Sequence, residues 1–142
     1  VANARLAYRL FEQRCDSTRW AALAARGARV QRPLWASTST KNPAYSDVLY
    51  IESLIGPDTV NTMPPETLRA FKDHGNAEPT ITTDVDQADE LIDQLAEAQI
   101  MMDVVTQQLE DDGVAAFFQS FDHLLAVIDG RRKAILGHPR RR

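Results

Sequence analysis

Only two stretches of the chain have the make-up of a β-strand, LWA at 34–36 and DTVNTM at 58–63, and everything around them reads as helix or loop. A helical pattern precedes the first stretch, another separates the two, and a third follows the second. The order helix, strand, helix, strand, helix predicts parallel strands joined by a crossover helix. Two short parallel strands do not make a stable sheet, because such sheets need cover on both faces and several members. Their bare edges would be apolar and prone to pair with other chains. The two stretches are therefore expected to be neighbouring staves of a larger α/β sheet, with a closed (β/α)8 barrel the simplest solution. The chain opens at Val1 inside a helical pattern, which fits a piece cut from something longer.

The pattern places a first helix over 2–14, with Ala7, Phe11 and Cys15 in one row and Leu6 and Leu10 in the next. Asp16 or Ser17 caps a short second helix carrying Trp20, Leu23 and Ala24, and Gly27 closes it. The run at 34–36 does not alternate, as expected of a strand buried on both faces, and Pro33 fits its first position. Ser46 or Asp47 caps a helix with Val48, Ile51, Leu54 and Ile55 on its inner side, stopped by Gly56 and Pro57. The stretch at 58–63 is the weaker strand, since Asn61 and Thr62 are polar; Pro65 then opens a helix that Gly75 closes. Residues 76–83 read as loop. Beyond Asp84 the chain is helical: Val85, Ala88, Leu91, Ile92 and Leu95 share a stripe, a shorter helix is expected to end at Gly113, and Phe117, Phe121, Leu124 and Ile128 share the face of a third. The whole is expected to be one unit, with 1–75 forming the helix-β-α-β-α part and 76–142 the closing helices.

Charge and composition remove several function classes. The net charge of −4 offers no basic field to nucleic acid, and the arginines at 131, 132 and 140–142 read as a solvated tail. No apolar run has the length of a membrane span, and no signal peptide is visible. A single cysteine, Cys15, forms no internal disulfide, which suits a reducing, cytoplasmic setting, and it sits on an apolar helix row as a core thiol. His74, His123 and His138 are scattered without zinc-ligand spacing, and the acids of DVDQADELIDQLAEA meet no calcium-loop pattern. Phe117, Phe118 and Phe121 are expected to pack against a barrel.

The strand at 34–36 ends in Ser37, Thr38, Ser39, Thr40 and Lys41. A turn needs one or two such side chains. Five at one strand end suggest an anion to hold, and in barrels a phosphate site is often built by the loops after the last two strands. Turn chemistry, with the hydroxyls bonding nearby backbone N–H groups, is the competing explanation.

The stretch WASTSTKNPAYSDVLYIESLIGPDTVNTMPPETLRAF resembles the carboxy-terminal part of bacterial-type transaldolases. The run S-T-x-T-K-N-P-x-Y-S-D followed by I-G-P-D-T-V-N-T-M-P carries the likeness most strongly, and DGVAAFFQSFDHLL is similar to the family's end. The resemblance implies a (β/α)8 barrel that moves a dihydroxyacetone unit between sugar phosphates through a lysine Schiff base, in the pentose phosphate pathway and without metal or organic cofactor. It implies that this chain supplies strands seven and eight and the closing helices. Family members end strand seven in a serine and a basic residue followed by asparagine, both touching substrate phosphate. Ser37 matches the serine, and Lys41, before Asn42, matches the basic residue. The chain departs in having lysine where many members have arginine, and in its serine-to-base spacing.

The Schiff-base lysine and its acidic helpers are expected on strands outside this chain, so no catalytic residue is assigned in it. Lys72 and Lys133 lie on helices among charged residues and read as surface groups. Two other readings stand beside this one: a non-catalytic helical remnant or interaction module, and a related Schiff-base aldolase that splits rather than transfers. Sugar phosphates are the expected partners, together with the remainder of the barrel or further copies of the chain.

Overall fold

The structure is a computed structural model and describes residues 1–137. His138 and the terminal arginines at 140–142 lie outside the described residues. The order of elements is α1 (Ala2–Cys15), α2 (Thr18–Ala24), β1 (Leu34–Trp35), α3 (Leu49–Glu52), β2 (Val60–Asn61), α4 (Pro65–His74), α5 (Val85–Glu97) and α6 (Met102–Leu136). Two compact units result, Val1–Gln94 and the residues from Leu95 onward.

In the first unit β1 and β2 pair in parallel, Leu34 opposite Val60 and Trp35 opposite Asn61. Val60 N donates to Pro33 O (2.9 Å) and Thr62 N to Trp35 O (2.9 Å). The parallel arrangement is the one predicted from the order of elements, but each strand is only two residues long. Burial on both faces does not materialise: Leu34 is 53% exposed and Trp35 half-buried. The described residues do not supply the cover that so apolar a strand calls for.

The helix at the start turns part of its expected face inward, Phe11, and adds a residue outside either expected row, Tyr8. Tyr8 is buried, with Ala4 and Phe11 packed around it, while Ala7 and Leu10 are exposed. A polar tip decides this, since a buried phenol needs a hydrogen-bond partner. Tyr8 Oη donates to Pro57 O at 3.0 Å. Burial also raises the Tyr8 pKa above the ordinary tyrosine value, with Glu12 and Asp58 adding to the effect. Cys15, on the same helix, is only half-buried. Ser17 caps α2 as expected, its Oγ accepting from Trp20 N at 3.2 Å, and Gly27 takes a φ of 90° after it.

Tyr8 meets Leu54 and Ile81 in the core. Val48, just before α3, and Ile51, within it, are buried as their spacing predicted. Ile81 was not foreseen: the segment 76–83 reads as loop, yet Ile81 is 1% exposed. Hydrogen bonds fasten this segment down. Thr80 N and Ile81 N both donate to Ile55 O (2.8 and 2.9 Å), Thr80 Oγ1 donates to Glu52 O, and Asn76 N donates to Glu52 Oε1 at 2.8 Å. Gly56 makes the approach possible, because a Cβ there would stand 2.1 Å from Ile81 Cγ2. From α1, Arg9 grips Asp89 of α5 with two bonds of 2.6 and 2.8 Å.

The second unit holds α6, one helix of 35 residues. The expected break at Gly113 is absent. A lone glycine lowers helix propensity by about 1 kcal/mol, too little to stop a helix with strong formers on both sides. Side-chain links along the helix add support, Gln107 to Asp111 (3.0 Å), Gln108 to Asp112 (2.8 Å), and Asp129 to Lys133 (2.6 Å). The aromatic stripe is uncovered, with Phe117 82% exposed, so the packing expected of it is not found among the described residues.

Gly56→Ala is expected to destabilise the protein by about 1–3 kcal/mol through overpacking against Ile81. Urea unfolding of wild type and variant, compared at constant m-value, measures it.

Candidate functional site

Because the strands run parallel, the chain leaves both of them at the same end of the pair. After Trp35 comes the hydroxyl-rich loop, and after Asn61 the short link to α4. Thr38 joins the two. It is 3% exposed, and its Oγ1 lies 2.9 Å from Asn61 Oδ1 and 3.1 Å from Thr62 O. A hydroxyl carries one proton, so the two oxygens share it in a three-centre bond. Thr62 Oγ1 in turn reaches Trp35 O at 3.4 Å.

Ser37 sits at the end of β1, exposed, with a φ of 57°. That left-handed conformation is uncommon for a residue with a Cβ and costs on the order of 1–3 kcal/mol. Ser37 lines a shallow hollow of about 360 Å³ with Trp35, Tyr50 and Leu54 among its other walls. Trp35 Nε1 is buried without a hydrogen-bond partner among the described residues, and so is Thr40 Oγ1. Lys41 is exposed and is not among the residues lining the hollow; its Nζ donates to Ser39 Oγ at 2.7 Å. The loop then turns at Asn42, whose Oδ1 accepts from Ala44 N (3.0 Å).

The turn bond of this loop lies at Asn42, outside the hydroxyl cluster, while Thr38 spends its hydroxyl across the sheet. The Thr38–Asn61 contact had no signature in the sequence. The one hint was the polar Asn61 inside an otherwise strand-like stretch, a feature that first reads as a weakness of that strand.

Lys72 is exposed, and Lys133 pairs with Asp129 on α6. Among the described residues no three His, Cys, Asp or Glu side chains gather as metal ligands, and no helix is long and apolar enough to cross a membrane. His74, at the end of α4, bonds Asp47 (2.9 Å) and Asp73 (3.3 Å). The Asp47 bond, then that of Asp73, raises the His74 pKa above the ordinary imidazole value.

The transaldolase/fructose-6-phosphate aldolase family model matches residues 1–128. The chain belongs to that family. It is 45% identical over 137 residues to a transaldolase 2 of Nostoc sp., covering 95% of this chain and 36% of that protein. A transaldolase of Mycolicibacterium smegmatis is 50% identical over 135 residues, covering 94% of this chain and 36% of the relative. With a transaldolase of Neisseria meningitidis the identity is 44% over 128 residues, 90% of this chain and 36% of the relative. The chain thus spans about a third of the length of the curated relatives it matches.

The His74 contact gives a pH dependence with a definite sign. A raised folded-state pKa means the fold favours the imidazolium. The contribution is complete below the unfolded value of 6.5 and is lost as pH rises through the higher folded value. Melting temperature is therefore expected to fall over that interval in wild type. His74→Gln should flatten that part of a pH-resolved thermal melt.

Proposed function

We propose that the chain is the carboxy-terminal portion of a transaldolase, a cytoplasmic enzyme that transfers a dihydroxyacetone unit between sugar phosphates through a lysine Schiff base in the pentose phosphate pathway. In this reading β1 and β2 are the last two strands of a (β/α)8 barrel. Residues 1–142 belong to that single barrel domain, 76–142 being its closing helices. The family match over residues 1–128 carries the reading. The parallel pair and the exposure of Leu34 support it, since both are natural in a sheet continued by other strands.

The loop at the end of β1 is then part of the substrate phosphate site, with Ser37 and Lys41 as its contacts. Ser37 offers a hydroxyl donor. Lys41 offers a point charge, able to hold a phosphate without the two-pronged geometry of arginine. The bond from Lys41 to Ser39 holds the ammonium within the loop. The covalent chemistry falls to a lysine on a strand elsewhere in the polypeptide, so the isolated chain has no turnover. A Schiff-base aldolase that releases the three-carbon unit is the second reading, because the matching family model spans both activities.

In the full-length protein, Ser37→Ala and Lys41→Ala are each expected to raise KM for phosphorylated substrates more than they lower kcat. The loss of a hydrogen bond to a charged group costs about 1.5–3 kcal/mol, or roughly ten- to 150-fold. Equal losses with unphosphorylated analogues would remove the phosphate role. Borohydride reduction in the presence of fructose 6-phosphate should trap a covalent adduct on the full-length protein and none on residues 1–142 alone. An untrappable full-length protein would overturn the enzyme assignment. Transfer to an aldose phosphate, as against release of the free three-carbon unit, separates the two activities.

A further inference from the structure

We infer that Thr38 is a positioning residue of the phosphate loop, one that sets the selectivity for phosphorylated substrates without touching them; this rests on the phosphate role proposed for Ser37 and Lys41. Three observations converge on it. Thr38 is the buried residue of the five-residue polar run, at 3% exposure. Its hydroxyl leaves its own loop and engages Asn61 Oδ1 and Thr62 O, at the end of the neighbouring strand. Its chain neighbour, Ser37, stands at a φ of 57°.

The three are mechanically connected. A non-glycine residue persists in the left-handed region only where its surroundings over-determine it. On one side Ser37 is held by the β1–β2 ladder through Trp35 O. On the other, the Thr38 hydroxyl fixes the next residue to β2. Released from that bond, Ser37 would relax toward an ordinary backbone conformation and carry its hydroxyl off the strand end. Because the bond reaches Asn61 and Thr62, it also makes one rigid body of the two segments that follow β1 and β2. An anion held by that body meets donors already in place, which lowers the ordering cost of binding.

The test uses the full-length protein with Thr38→Val, which keeps the shape and removes the hydroxyl, and Thr38→Ser, which keeps the hydroxyl. Thr38→Val is expected to raise KM for an aldose phosphate about fivefold, the equivalent of one hydrogen bond, and to weaken competitive inhibition by inorganic phosphate by a similar factor. Thr38→Ser should restore both. KM and kcat for the unphosphorylated aldose should stay near wild type in each variant. A Thr38→Val variant that affects both aldoses alike, or affects neither, overturns the inference. So does a Thr38→Ser variant as impaired as Thr38→Val. Should Thr38→Val fail to fold, Asn61→Ala withdraws one acceptor from the other side. A phosphate-selective rise in KM there supports the inference and unchanged selectivity overturns it. Ser37→Ala and Lys41→Ala serve as the reference: if they too leave phosphate selectivity intact, the phosphate role itself is wrong. If they abolish it while Thr38→Val does not, only the positioning role is lost.

Discussion

Two backbone hydrogen bonds organise the first unit: Val60 N to Pro33 O and Thr62 N to Trp35 O. They set the register of β1 against β2 and make the pair parallel. Parallel pairing requires a long crossover, which here is the segment containing α3. It also sends both strands' exits to one end, so the hydroxyl loop and the link to α4 become neighbours. Everything proposed for the loop follows from that placement. The same pair explains the open surface, because two strands of two residues each cannot cover their own faces. The curated relatives are about three times as long as this chain.

Much of this was legible in the residues. The parallel order came from the alternation of helical and strand-like stretches, and the caps of α2 and the φ of Gly27 from local chemistry that needs no tertiary partner. Val48, Ile51 and Leu54 were found by spacing alone. What spacing could not find was anything fixed by a single distant partner. Tyr8 joins Phe11 at the core because the carbonyl of Pro57 is there to receive its hydroxyl. Ile81 enters the core from a segment with no periodicity, drawn in by hydrogen bonds to Glu52 and Ile55.

The candidate site divides the same way. Ser37 and Lys41 stood out because their residue types match a chemistry and a family pattern. Thr38 looked interchangeable with Thr40 in the sequence, and only their partners separate their roles. One hydroxyl finds two carbonyl oxygens across the sheet, while the other is buried with no partner among the described residues. In the second unit, Gly113 misled for a complementary reason. Its local preference to end a helix is real but small, and the residues on both sides outweigh it.

The fastening of residues 76–83 beneath Gly56 bears on how the chain can be divided. A piece trimmed after Gly75 would keep both strands and all the helices that flank them, yet it would discard Ile81 and open a hole between Tyr8 and Leu54. The smallest portion that retains its own interior therefore extends past the apparent connector, and what looks like a seam between two parts is the keystone of the first.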